Sequence, residues 1–349
     1  MEVDIANLGE RWWEDESVTR VGCVDEMTGF QPSDSGQILR LDGEWKFHWS
    51  PTVSGRANSF ESSDWGEIQV PGHWETQGFG VPVYSNIIYP HPKDPPRIGE
   101  DNPVGTYQKS FDVPESWLGG DLLLRFNGVE SAAYVWLNGE FVGYIQDSKT
   151  QAVLPLGSVV AGENLLTVQV FKWCDGSYLE DQDFWRLGGL FRGVEVVSRP
   201  KNRVVDFHWK TEFPNGFDQA EFELDLSSSG FDDLGVKAEL LDESTVVWTT
   251  ECVVSGDSTV SGTLQNPKLW TSETPNLYQL RLTTAEETIE RKVAFRKIEA
   301  RDQQLWINGK SIKLRWVNRH EVDEQRGRAV TKEGMLPDID LMKRVNVKS

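Results

Sequence analysis

From Ile38 onward the chain runs in short apolar-polar stretches broken by turn residues: ILRLDGEWKFHW, GEIQVPGHW, GTYQKSFDV, DLLLRFNGV, AAYVWLNGEFVGYIQ and NLLTVQVFKW. Alternation is clearest at Leu122, Leu124 and Phe126, and again at Leu166, Val168 and Val170. That period of two marks half-buried strands, because successive strand side chains point to opposite faces. Asn138-Gly139 lies between two apolar runs, the pair favoured where both turn residues need positive φ, and predicts a tight hairpin. Many short strands with such turns predict a jelly roll or β-sandwich of about 160 residues.

The stretch from Tyr84 to Pro103 breaks the pattern. Pro82, Pro90, Pro92, Pro95, Pro96 and Pro103 lie in or beside it, and proline cannot donate to a ladder, so a long non-ladder loop is expected. A second strand series begins near Arg203 with VVDFHWKTEF and AEFELDLSSSG and ends with RKVAFRKIEA. Its length and turn spacing suit an immunoglobulin-like sandwich without a disulfide. The last segment changes again. LWINGKSIKLRWVNRH reads as a hairpin turning at Asn308-Gly309, while Met335, Ile339, Met342 and Val345 follow a helical spacing. Thr331 with Gly334 offers a helix start, and Pro337 places the helix from about there. A strand followed by a helix is the opening of a βαβ series. The expected organisation is an N-terminal arm over 1–36, a jelly-roll domain over 37–200, an immunoglobulin-like sandwich over 201–298 and an α/β tail over 299–349.

Composition narrows the partners. A formal charge of −20 disfavours nucleic acid and anionic membrane, since neutralising phosphates needs clustered Lys and Arg, and points to a neutral substrate. Cys23, Cys174 and Cys252 lie far apart and form no C-x-x-C pair, which fits neither a disulfide framework nor a zinc site and places the chain in a reducing cytoplasm. No apolar run approaches the roughly 18 residues of a membrane span, and the N-terminus has no secretory pattern. Fifteen tryptophans outnumber seven tyrosines. Trp offers a flat face to a sugar ring, but in sandwiches it more often fills core.

One segment concentrates chemistry: DGSYLEDQDFWRLGGLFRGV, residues 175–194, sets Asp175, Glu180, Asp181 and Asp183 among aromatic residues with Arg186 and Arg192 close behind. Glycoside hydrolysis normally uses two carboxyl groups about 5–5.5 Å apart for retention or about 6.5–9.5 Å for inversion. Glu180 and Asp183 are candidates, yet spacing does not make them face each other, and structural ion pairs account for them equally well. NRHEVDE, Asn318 to Glu324, adds Glu321 but lacks the second His of a zincin. No nucleophile elbow, P-loop or dinucleotide fingerprint occurs.

The same segment closely resembles one that marks the large bacterial β-galactosidases of glycoside hydrolase family two. Further similar stretches follow in order: LDGEWKFHW (41–49), VPGHWETQGFGVPVYSNIIYP (70–90), NPVGTYQKSFDVPESWL (102–118), VWLNGEFVGYIQDSK (135–149) and RWVNRHE (315–321). The resemblance implies a jelly-roll sugar-binding domain, an immunoglobulin-like domain and the first strand and helix of a (β/α)8 barrel. It implies that Asn86 and Asp183 hold galactose hydroxyls, that Asp183 also touches a sodium ion, and that His320 contacts the sugar. Trp316 stands where the family usually has Gly, and Val322-Asp323-Glu324 replaces a His-rich continuation. The family's acid/base and nucleophile glutamates and its magnesium ligands lie on later barrel strands, for which the chain shows no counterparts.

Three readings follow. The first is a galactoside-facing front of a β-galactosidase without the catalytic glutamates, needing no cofactor of its own and expected to self-associate or to meet a complementing barrel fragment. The second is a small active β-galactosidase with recruited acids from among Glu180, Asp183 and Glu321. The third is a stand-alone carbohydrate-binding module.

Overall fold

The apolar-polar alternation becomes strand almost throughout. In the computed structural model, residues 11–26, 37–180, 183–229, 233–314 and 316–347 are described. Among them, those of Met1–Thr28, Ile38–Arg199 and Glu321–Gly334 group as one unit, and those of Gly29–Gln37, Pro200–His320 and Met335–Ser349 as a second. Asp181, Arg315 and most of the expected N-terminal arm lie outside the described residues.

The first unit contains β1 (Arg20–Val21), β2 (Ile38–Arg40), β3 (Gly43–Ser50), β4 (Gly66–Val70), β5 (Val83–Ser85) and β6 (Val104–Val113). It continues with β7 (Asp121–Phe126), β8 (Ala132–Leu137), β9 (Glu140–Ile145), β10 (Ala152–Pro155), β11 (Gly162–Phe171), β12 (Phe184–Arg186) and β13 (Val194–Arg199). A seven-stranded antiparallel sheet, β1-β9-β8-β11-β6-β3-β4, packs with a four-stranded one, β10-β7-β13-β2, and a two-stranded ribbon pairs β12 with β5. The β8–β9 hairpin turns at Asn138 and Gly139, with φ 53 and 85. Both sit in the left-handed region that the Asn-Gly pair tolerates.

The main core joins Leu124, Phe126, Val194 and Val196 of the small sheet to Trp45, Phe47, Val135, Leu137, Leu166, Val168 and Val170 of the large one. A second cluster joins Tyr134 and Trp136 of β8 and Phe171 of β11, on the alternate positions of those strands, to Tyr144 of β9 and Trp13 of the N-terminal segment. β8 is therefore buried on both faces, which is why its sequence reads as a continuous apolar run. Trp13 stacks on Phe171 with centroids 4.2 Å apart, and β1 pairs with β9, so this part of the arm is packed.

The second unit contains β14 (Val204–Glu212), β15 (Gln219–Ser228), β16 (Leu234–Asp242), β17 (Thr245–Val254), β18 (Asp257–Gln265), β19 (Tyr278–Thr283) and β20 (Thr288–Val293). They form sheets β14-β15-β18 and β17-β16-β19-β20. β15 alternates cleanly, with Ala220, Phe222, Leu224 and Leu226 buried and Glu221 and Glu223 exposed. β21 (Ile298–Arg301), β22 (Gln304–Ile307) and β23 (Lys310–Ile312) form a small meander, and the β22–β23 turn carries Asn308 and Gly309 at φ 48 and 74. The described residues between Ile312 and His320 are not in strand, although the sequence there predicts one.

Two further expectations change. The helix α1 runs Lys332–Arg344 and includes Pro337, rather than beginning there. Thr331 starts it by accepting the Gly334 amide on Oγ1 at 3.1 Å. The cost is one missing bond, because Pro337 has no N–H for the carbonyl four residues back. The loop after Tyr84 is not wholly outside a ladder either, since Tyr84 and Ser85 belong to β5 and pair with Trp185 and Phe184.

Candidate sugar-facing site

The site is built on the β5–β12 ribbon of the first unit. Tyr84 pairs with Trp185 across it, so both rings emerge on one face, 5.5 Å between centroids, with 54% and 49% of their surface exposed. The opposite face is inverted in polarity: Arg186 is buried, its Nε donating to Ser85 Oγ at 3.3 Å and its guanidinium lying 4.4 Å from the Phe184 ring. Further along the segment Leu187, Leu190 and Phe191 are buried, whereas Trp185 is not.

Asp183 immediately precedes β12, and its carboxylate accepts a hydrogen bond from the Tyr84 hydroxyl. That bond raises the Tyr84 phenol above its ordinary pKa. Asn86 immediately follows β5 and is exposed, and residues from Val83 to Pro90 line an open cavity of ≈360 Å³ with Ile87 and Ile88 exposed. Behind it the chain is tied down. Tyr89 donates to the Tyr178 carbonyl at 3.1 Å, Tyr178 donates to the Arg97 carbonyl at 2.7 Å, and Glu14 Oε1 accepts the Ile98 and Gly99 amides at 2.8 and 2.7 Å. The ribbon thus brings Asn86 and Asp183 together, along with Tyr84, which the sequence reading did not single out although it lies in YSNIIYP.

The other candidates stand apart. Glu180 accepts the Ser148 amide at 3.1 Å, a structural bond. Glu321 is exposed, with Arg192 3.7 Å away. Each of the three candidate carboxylates therefore has its own partner. Asp175 is held by the Gln146 amide, and burial pushes its carboxyl up. His320 belongs to the second unit and is exposed. Among the described residues no group of three or more His, Cys, Asp or Glu could hold a metal ion, so sodium at Asp183 rests on the resemblance alone.

Beneath the ribbon lies a buried polar network invisible in the sequence. Lys172 Nζ is 2.5 Å from Glu75 Oε1, and Glu75 Oε2 accepts the Gly188 amide at 2.9 Å. Burial pushes the Glu75 carboxyl up against the pull of Lys172. His73 Nδ1 lies 3.1 Å from the Gly188 carbonyl and its ring stacks on Phe191. Burial, reinforced by the Arg328 charge, takes its pKa down to about 3. Gly188 itself has no room for a side chain, because a Cβ there would sit 2.1 Å from Trp74 Cζ2. Gly188→Ala should destabilise the first domain by about 1–3 kcal/mol or more, read as a lower urea midpoint, because overpacking a fully buried Trp forces backbone shifts.

Three family models cover the chain in order. Residues 38–200 match the glycosyl hydrolases family 2 sugar binding domain, 202–296 match glycosyl hydrolases family 2, and 298–349 match its TIM barrel domain. The chain belongs to glycosyl hydrolases family 2. This family 2 chain is 42% identical to a β-galactosidase of Halalkalibacterium halodurans, over 88% of its own length and 32% of the relative's. It is 38% identical to a β-galactosidase of Priestia megaterium, over 93% of its own length and 34% of the relative's. It thus spans about a third of the length of these curated relatives. Among solved structures, a β-glucuronidase of Bifidobacterium dentium superposes with TM-score 0.76 at 20% identity, over 92% of this chain and 58% of that one. A β-glucuronidase of Ruminococcus gnavus gives 0.74 at 18%, over 93% and 56%. These likenesses concern the fold. They support the mainly β architecture of sugar-binding domain, immunoglobulin-like domain and short barrel portion. Among the described residues no helix is long and apolar enough to cross a membrane.

Proposed function

We propose that this chain forms the galactoside-facing region of a family 2 β-galactosidase, positioning the sugar rather than cleaving its glycosidic bond. The observation that carries this reading is the β5–β12 ribbon, which presents Asn86, Asp183 and the Tyr84–Trp185 pair together and exposed. A carboxylate accepting from sugar hydroxyls, an amide able to donate and accept, and aromatic faces for the C–H side of a ring are the groups a neutral sugar needs. The relatives named β-galactosidase favour galactosides. Recruited catalysis by Glu180, Asp183 or Glu321 is disfavoured, because Glu180 holds a backbone amide and Asp183 a tyrosine hydroxyl instead of forming a carboxyl pair.

Calorimetric titration with methyl β-galactoside tests the proposal. Asp183→Asn should weaken binding roughly tenfold or more, since hydrogen bonds to a charged acceptor are worth about 1.5–3 kcal/mol. Equal affinity in the variant would remove Asp183 from the site. Turnover of a chromogenic β-galactoside by protein from a host without β-galactosidase is expected to be absent. Activity lost on Glu180→Gln would instead favour the recruited-acid reading.

A further inference from the structure

The ribbon that carries the site is too short to hold its own shape. β5 and β12 pair over three residues each, and an isolated two-stranded ribbon is marginal in water even when longer. Besides the buried Arg186 face, it meets residues far along the chain, in the stretch matched to the barrel domain but grouped with the first unit.

That stretch forms a small closed loop. Asp323 and Gly327 exchange both backbone hydrogen bonds at 2.7 and 3.0 Å, and Asp323 Oδ1 accepts the Gln325 and Arg326 amides at 2.8 and 2.9 Å. Gly327, at φ +63, is buried so closely that a Cβ would lie 2.6 Å from Leu187 Cδ1 and 3.0 Å from His73 Cδ2. Ala329 is buried as well. From this tip Arg328 reaches toward β12. One guanidinium nitrogen pairs with the buried carboxylate of Glu130, the other donates to the Trp185 carbonyl at 2.5 Å, and its plane lies 4.6 Å from the Phe184 ring. A planar fork of donors can serve an acid and a carbonyl at once, which a lysine ammonium on a flexible stem does poorly.

We propose that Arg328 is a positioning residue for sugar binding: it clamps β12, and through β12 the paired β5, so that Asp183, Tyr84 and Asn86 are held in one arrangement. The sugar consequence rests on the functional reading above, whereas the clamp itself does not. Residues 323–329 in this account complete the sugar-binding domain, although their sequence matches the domain that follows.

Hydrogen exchange read by mass spectrometry on the full chain tests the clamp, with three variants. Arg328→Lys keeps a charge for Glu130 and gives up the Trp185 carbonyl. Arg328→Met leaves Glu130 buried without its partner and is the variant at risk of misfolding. The double variant Glu130→Met/Arg328→Met removes both charges, so the domain stays folded while the ribbon is released. Amides in 83–87 and 183–187 should exchange roughly tenfold faster or more in the lysine and double variants, with β6 and β11 unchanged. A merely structural ion pair would instead lower protection throughout the domain, or leave the ribbon as in the wild type in the double variant, and either result overturns the clamp. The same proteins are titrated with methyl β-galactoside, expecting affinity at least about tenfold lower in the double variant. A loosened ribbon with unchanged affinity overturns the positioning role. A wild type that binds no galactoside overturns the functional reading, and exchange still decides the clamp.

Discussion

Lys172→Met is expected to destabilise the first domain by about 3–5 kcal/mol, the usual consequence of removing one member of a buried ion pair. Lys172 is 4% exposed, and its ammonium lies 2.5 Å from Glu75 Oε1. Methionine fills a similar volume, so packing against the Trp173 ring, 5.3 Å from Nζ, is largely kept and the loss is electrostatic. Glu75 is left with the Gly188 amide as its principal donor, in surroundings that already push its carboxyl upward. A deficit of that size is a large part of the stability of an ordinary domain, so the urea midpoint should fall far enough to read without fitting. Two controls make the assignment specific. Adding Glu75→Gln to Lys172→Met should recover much of the loss, because the stranded charge is gone. Lys46→Met should barely move the midpoint, since the Lys46–Glu67 pair is solvated on both sides. Equal losses at Lys46 and Lys172 would show that burial of the Glu75 pair is not what matters.

The second large effect is a pH dependence located at His73. Its imidazole is held down to about 3 in the folded chain, against an ordinary value of 6.5. Between those values the unfolded chain binds a proton that the folded chain refuses. Stability therefore rises with pH through this window and is lost as pH falls from 6.5 toward 3, at about 1.4 kcal/mol per pH unit. Glu75 acts with the opposite sign, because its raised carboxyl favours the folded state below its ordinary 4.5 and gives that advantage up as pH rises. The clean readout is consequently a difference. Urea unfolding of wild type and His73→Gln from pH 7 to pH 4.5 should show the two stabilities converging, with the steeper fall in the wild type. Parallel curves would mean that His73 protonates freely in the folded state. The cause is geometric: the ring is buried, stacked on Phe191 and close to Gly327, with the Arg328 charge acting on it.

Both predictions concern residues that the sequence presents as unremarkable. His73, Glu75, Lys172, Glu130 and Arg328 read as ordinary polar positions in strand and loop, and their partners lie as far as 198 residues away. The ribbon shows the same limit. Asn86 and Asp183 were legible as residues through the motifs that contain them, yet the bond joining the two segments spans 99 residues between Tyr84 and Asp183. No local spacing encodes it. Arg186 buried and Trp185 exposed also reverse what composition suggests, because a strand's period of two decides which side chain faces inward, whatever its polarity.

The sequence by itself determined the strands, the Asn-Gly turns, the all-β character of the two sandwiches and the family, since alternation, positive-φ turns and ordered motifs are properties of neighbouring residues. Tertiary structure alone decided that Tyr84 joins Asp183, that Glu180 accepts the Ser148 amide, that Trp185 faces outward, and that residues 323–329 group with the first unit and set Arg328 against β12. Burial and charge pairing are set by which segments meet in space, and a charge becomes consequential only when the fold removes it from water.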